Sequence, residues 1–265
     1  MASRAADRGS GGVAVGRVFS RAFAAMRHNW AATLVLTLLF AALPFGIAHY
    51  LLAQVPWQFM VVTIGSTALP GTFGSSVARW FAGLLFGTIA QGAMTRPVVA
   101  AAEGRRAGVG ESLGAAARVL LPLTIMGVVL AVSVIIGSTL LIIPGVLVYL
   151  LWAIAPSAEA DEREGVFLAL SRSQELSEGA RSKVFAVVLI LIAITLLMTA
   201  LLGLLTVIFF WRTGVTGLGA VILGLRIAFG TVLNVLWGTV LASLYVELKE
   251  WKEGGSVETL EQVFA

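Results

Sequence analysis

The apolar positions of this chain gather into six long blocks, near residues 30–52, 76–95, 119–137, 140–158, 184–211 and 227–246. Each is close to the roughly 20 residues that an α-helix needs to cross a hydrocarbon core. Forty positions, 119–158, run almost without a polar side chain. One helix of that length would measure about 60 Å, twice the bilayer core. The pattern therefore predicts two helices folded back on each other, with Gly137-Ser138 and Pro144-Gly145 as turn signals.

Shorter patterns frame these blocks. Val15, Phe19, Phe23, Met26 and Trp30 recur at steps of three or four, with Arg17 and Arg21 one turn apart on the other side. This predicts a helix lying in the membrane interface. The connection from Leu52 to Ser75 is uncharged and holds Pro56, Trp57 and Pro70; its apolar part, Phe59–Ile64, is too short to cross and is expected at the opposite interface. Residues 103–118 read as a short amphipathic element before the third block. In the connection 159–183, Val166, Phe167 and Leu170 give an apolar helical face, Arg172 and Glu175 a polar one, and Gly179 a stop.

The fold class expected is all-α: a polytopic bundle of six membrane-spanning helices with short cytoplasmic amphipathic helices. Its parts are a disordered tail at 1–11, an interfacial helix at 12–29, the membrane domain at 30–250 and a cytoplasmic tail at 251–265. Composition agrees. The chain is 58% hydrophobic and 12% charged, against about a quarter charged in soluble domains.

Charge sets the orientation. Six crossings place the N-terminus, two connections and the C-terminus on one side. That side holds all 14 acidic residues and fifteen cations, leaving only Arg79, Arg212 and Arg226 opposite. The positive-inside rule then makes both termini cytoplasmic. The bias toward Arg over Lys, with abundant Ala and Gly, fits a GC-rich bacterial genome and hence the inner membrane. The net charge of +4 reads as topology and contact with anionic lipid, through Arg17, Arg21 and Arg27. No basic run interleaved with aromatics suggests nucleic acid.

Catalytic chemistry is not visible. With no cysteine, and with His28 and His49 at opposite ends of the first block, neither thiolate chemistry nor a histidine metal site is expected. The blocks themselves lack Asp and Glu, and their one histidine, His49, lies near the end of the first, so neither a cofactor, a catalytic constellation nor a proton relay is expected. Spans 2 and 6 share a stripe at four-residue steps: Arg79, Gly83, Gly87, Gln91, Thr95 and Arg226, Gly230, Asn234, Gly238, Ala242. Such a stripe reads as a close-packing face, as a trace of internal duplication, or as a polar path past Gln91 and Asn234. Arg79 and Arg226 lie near span ends, where long side chains snorkel to the interface. Glu162, Arg163, Arg172 and Glu175 make the best candidate surface for a protein partner.

Three stretches carry a family resemblance: Leu141-Ile142-Ile143-Pro144-Gly145; Glu162-Arg163-Glu164-Gly165-Val166-Phe167 with Ala169-Leu170-Ser171-Arg172-Ser173 and Leu176-Ser177-Glu178-Gly179; and Tyr245-Val246-Glu247-Leu248-Lys249 with Lys252-Glu253-Gly254 and Val263-Phe264. Together they resemble the bacterial membrane domain associated with certain glycerophosphodiester phosphodiesterases, over most of residues 100–265. The interval from Pro156 to Gly165 is longer than that family's, so Asp161 and Glu162 both remain as the matching acid. The resemblance implies a six-span, non-catalytic membrane module without the phosphodiesterase barrel.

The function expected is a non-enzymatic inner-membrane scaffold or accessory module contacting anionic lipid and a protein partner. The alternatives are a transporter or channel for a small neutral or lipid-like solute and, more weakly, a lipid-modifying enzyme.

Overall fold

The computed structural model describes residues 13–54, 62–64, 67–69, 71–213 and 219–264. The tail at 1–11 and the 55–61 stretch of the first connection lie outside them. Helix α1 is Val15–His28. After Asn29 the first apolar block forms α2, Trp30–Thr37, a π-helical stretch, Leu38–Ala42, and α3, Leu43–Gln54. Pro44 has no N–H and cannot continue the four-residue ladder, and just before it the Leu43 N–H reaches back to the Leu38 carbonyl.

The first connection holds β1, Val62–Ile64, and β2, Thr67–Leu69, an antiparallel pair in the register Val62–Leu69, Thr63–Ala68, Ile64–Thr67. A stretch expected simply to lie on the interface thus satisfies its backbone with a ladder, helped by the β-branched Val62, Thr63, Ile64 and Thr67. The remaining helices are α4, Gly71–Ala102, α5, Val109–Leu140, α6, Ile142–Trp152, α7, Ala155–Glu162, α8, Val166–Ser177, α9, Arg181–Thr213, and α10, Gly219–Phe264.

Two sequence expectations change here. Residues 109–118 are no separate element but the first turns of α5, since nothing after Gly108 interrupts the helix. The supposed tail beyond residue 250 continues α10 to Phe264. Gly179 does stop α8, at φ +84°, a left-handed conformation that costs glycine little.

Among the described residues, five helical segments are long and apolar enough to cross a membrane: Trp30–Leu52, Val109–Leu140, Ile143–Glu162, Arg181–Ile208 and Ile227–Gly254. The chain is a helical, membrane-embedded protein. The expected hairpin joins α5 to α6 through an extended Leu141. A Cβ on Gly137 would lie 2.9 Å from the Gly145 Cα, and one on Gly145 would overlap Ser138. The two helices meet backbone to backbone there, which only glycine allows.

Helix α4 has 32 residues but is not among the five. Its polarity has a structural reason. It packs against α5, α10, α7, α3 and α1, so neighbouring helices cover the small and polar positions of its second half. Ile89, Ala90, Gln91, Ala93, Met94, Thr95 and Val98 are all buried. The lipid-like periphery is supplied by others: α9 exposes Leu189, Leu196, Leu197, Leu201 and Leu204, and the hairpin exposes Leu140, Leu141 and Ile143.

Burial concentrates at one end of the bundle, where Met94, Leu123, Met126, Ile154, Leu176, Leu191, Leu241, Leu244 and Tyr245 are fully enclosed. Helix α1, the α4–α5 connector, α7, α8 and residues 247–254 of α10 gather there. This is the charged end.

Candidate functional site

The charged end is built around a break in the fourth apolar segment. Pro156 lacks an N–H, and the Ser157 N–H bonds the Ile154 carbonyl at 3.1 Å, so the last carbonyls of α6 lose their usual donors. Side chains from other helices replace them. Gln91 of α4 donates from Nε2 to the Ala153 carbonyl at 2.7 Å and reaches Ser157 Oγ at 3.3 Å. Ser173 of α8 donates to the Leu151 carbonyl at 2.7 Å. A second join uses Asn29, buried between α1 and α2. Its Nδ2 donates to the Pro97 carbonyl at 2.8 Å, and its Oδ1 accepts from the Ala107 N–H at 3.1 Å.

An ionic network then ties α10 to α1, α7 and α8. Arg17 pairs with the buried Glu247 at 2.7 Å, and Arg21 with Glu250 at 2.7 Å and Glu247 at 3.6 Å. Lys249 lies 2.8 Å from Asp161 and 3.1 Å from Glu162. The Tyr245 hydroxyl sits 2.8 Å from Asp161 Oδ2 and 2.9 Å from Glu162 Oε1, and accepts from Lys249 Nζ at 3.0 Å. Arg172 joins Glu162 at 3.0 Å, Glu175 at 3.4 Å, and also Glu253. Desolvation works against the Arg172 charge, but its hydrogen bond to Glu162, followed by those charges and Glu175, outweighs it and holds the guanidinium above the ordinary arginine pKa.

The turn between α7 and α8 has its own anchor. Arg163 is left-handed at φ 57° and Gly165 at φ +101°, and the buried Glu159 accepts from the Gly165 N–H at 2.9 Å. The acid restrains the turn that aims α8 back across α10.

The residues picked out in the sequence separate on this geometry. Arg17 and Arg21 face α10 instead of open lipid, because Glu247 and Glu250 lie opposite them; Arg27 stays exposed. The face of α1 that packs inward is Val18, Ala22 and Ala25, while Phe23 and Trp30 are 57% and 67% exposed. Glu162, Arg172 and Glu175 are likewise engaged with one another, and Arg163 alone of that group is exposed with no ion pair among the described residues. Phe167, expected on one apolar face with Val166 and Leu170, is 78% exposed beside an exposed Leu168; Ala169, Leu170, Ser173 and Leu176 face in.

The shared stripe does not act as one packing face. A Cβ at Gly87 or Gly230 would meet nothing within 4 Å, and one at Gly83 only Phe45 at 3.8 Å. Gly238 is tight, 2.5 Å from Met94 Sδ on the same measure. The close approach of α5 to the α4 backbone is elsewhere, at Gly127, whose Cβ would lie 3.2 Å from the Leu85 carbonyl oxygen. Asn234 donates at 2.9 Å to the Gly230 carbonyl of its own helix. Arg79 donates to Ser75 at 3.0 Å and Ser76 at 3.4 Å, within its own helix. The Arg226 side chain lies outside the described residues.

Asn29 and Glu159 form joints that the sequence reading did not single out; Asp161, Tyr245 and Glu247 entered it only through the family resemblance, not as pairing residues. Asn29 carried one signal, a side chain suited to local backbone bonding placed directly before an apolar block. Among the described residues no cluster of three or more His, Cys, Asp or Glu could hold a metal ion. No protein-family model matches the chain, and no solved structure matches it.

Proposed function

We propose that this chain is a six-crossing protein of the bacterial inner membrane whose charged end faces the cytoplasm, and that it works there as a non-enzymatic scaffold or accessory module. One observation carries the reading: Arg17 of α1 and Arg172 of α8 both pair within the stretch Glu247–Glu253 of α10. Helices α1 and α8 therefore share a side, which requires an even number of crossings between them. The segments α2–α3, α5 and α6–α7 supply three, and α4 supplies the fourth. The fifteen cations collected on that side support a cytoplasmic placement, and the resemblance to the glycerophosphodiester phosphodiesterase membrane domain supports a module of this kind.

A platform stapled by ion pairs suits docking better than chemistry. Asp161, Glu162 and Glu175 already have cationic or hydroxyl partners, so they fix helices instead of awaiting a substrate. The surface left for a protein partner is the outer side of the α7–α8 turn, with Arg163, Phe167 and Leu168. A solute path past Gln91 and Asn234 is less well supported, since both amides bond within the protein.

The test is capture from native membranes with the tagged full chain, compared with Arg163→Glu/Phe167→Ser/Leu168→Ser. A protein captured by the wild type and lost from the triple variant supports the platform. Identical captured proteins from both, or none above an empty-tag control, would remove it.

A further inference from the structure

A hollow of about 610 Å³ lies where the end of α1 meets the α4–α5 connector, lined by Ser20, Phe23, Ala24, Arg27, His28 and Arg106. Its charge is unbalanced. Of the nearby carboxylates, Glu103 is held by Arg105 at 2.7 Å, and Glu111 by Arg96 at 2.7 Å and Arg105 at 3.7 Å. Among the described residues neither Arg27, His28 nor Arg106 has a carboxylate partner, and no acidic side chain lines the hollow. The Ser20 hydroxyl is donated to the Arg17 carbonyl at 3.0 Å, so the guanidinium forks are the donors that point to a ligand.

We propose that this hollow binds a phosphate group, delivered as the headgroup of an anionic phospholipid. The proposal rests on the membrane reading above and sharpens it. It moves lipid contact away from Arg17 and Arg21, which α10 occupies, to the opposite rim of α1 and to Arg106. Guanidinium groups match phosphate oxygens two at a time and are more weakly hydrated than ammonium, so paired arginines in a hollow favour phosphate over a simple counterion. The lipid source is argued from depth. Phe23 lies one turn before Arg27 on the same rim, and Trp30 follows His28 by two residues; both are exposed. Exposed aromatics of this kind sit at the headgroup level of a bilayer, which puts Arg27 and Arg106 where phosphodiesters are concentrated.

The experiment uses the full chain in neutral-detergent micelles and, separately, in nanodiscs. Phosphatidylglycerol, phosphatidylcholine of the same chains, glycerol 3-phosphate and inorganic phosphate are titrated, with native mass spectrometry and the thermal midpoint as readouts. Phosphatidylglycerol is expected to bind and raise the midpoint. Arg27→Gln/Arg106→Gln should weaken it roughly thirtyfold, two surface cations' worth, whereas Arg118→Gln/Arg181→Gln removes equal charge elsewhere and should change it little. Because all four arginines are exposed, both variants should fold.

Equal weakening by the two double variants would reduce the effect to bulk charge and overturn the hollow, while leaving lipid contact in the wider reading intact. A wild type with no preference for phosphatidylglycerol over phosphatidylcholine would remove both. Competition by inorganic phosphate or glycerol 3-phosphate at the same concentrations as the lipid would overturn the lipid source in favour of a soluble phosphate compound.

Discussion

The Gln91 side chain lies 2.7 Å from the Ala153 carbonyl oxygen, bridging the central helix α4 to the break between α6 and α7. Both groups are buried, so the carbonyl has no water to turn to. Gln91→Leu should therefore lower stability in detergent by about 1–3 kcal/mol, the usual cost of leaving a buried acceptor unsatisfied. Asn234→Leu should be milder, because that amide bonds only a carbonyl of its own helix. Thermal unfolding of the two variants side by side checks this, and equal midpoints would mean that Gln91 is not the cap.

Gly127 and Gly87 should behave oppositely. At Gly127 a methyl group would press on Leu85 Cδ1 at 2.8 Å and on its backbone oxygen at 3.2 Å. Side chains can turn aside but backbone cannot, so Gly127→Ala should cost about 1–3 kcal/mol. Gly87 has open space on that measure, so Gly87→Ala should be neutral or gain up to about 1 kcal/mol from helix propensity. A large loss at Gly87 in chaotrope unfolding would restore the stripe as a packing face.

These cases mark where the sequence was readable. The long segments, the α5–α6 hairpin and the α8 stop followed from hydropathy, Pro144-Gly145 and Gly179, because each depends on a few adjacent residues. The joints did not. Tyr245 with Asp161, and Arg17 with Glu247, are separated by 84 and 230 positions, and nothing local marks such a pairing. The stripes on spans 2 and 6 misled for a related reason. Spacing gives a face to each helix but not its neighbour, and Gly87 faces no close neighbour. Phe167 shows the same limit: the apolar pattern grouped it on one face with Leu170, whereas the packing of Ala169, Leu170 and Ser173 turns it outward.

The ionic network should hold stability through coupling. Glu162 and Arg172 side chains are 15% and 22% exposed at 3.0 Å separation, so each partly enclosed charge depends on the other. Removing one leaves the other uncompensated. A double-mutant cycle with Glu162→Gln and Arg172→Gln should give a coupling of about 0.5–3 kcal/mol. Arg163→Gln, at an exposed position without an ion pair among the described residues, should stay within about 0.5 kcal/mol of wild type. Strictly additive single effects would show that the two charges act independently.

The number of crossings can be read from two sites on helices that the network joins to α10. Ser20 on α1 and Ser171 on α8 are both exposed, and the ion pairs of α10 reach both helices. If α4 crosses, four crossings separate these serines and they face the same compartment. If α4 only rests inside the bundle, three separate them and they face opposite ones. The chain has no cysteine, so Ser20→Cys, Ser171→Cys and Thr139→Cys can each report alone. Thr139 is exposed near the hairpin tip, with its hydroxyl bonded to the Ile135 carbonyl of its own helix at 2.7 Å. With an impermeant maleimide on intact cells, Thr139→Cys should label at once. Ser20→Cys and Ser171→Cys should label only after the membrane is opened, as the excess of cations around them requires. Labelling of Ser171→Cys but not Ser20→Cys in intact cells would mean that α4 does not cross, and labelling of both would invert the protein.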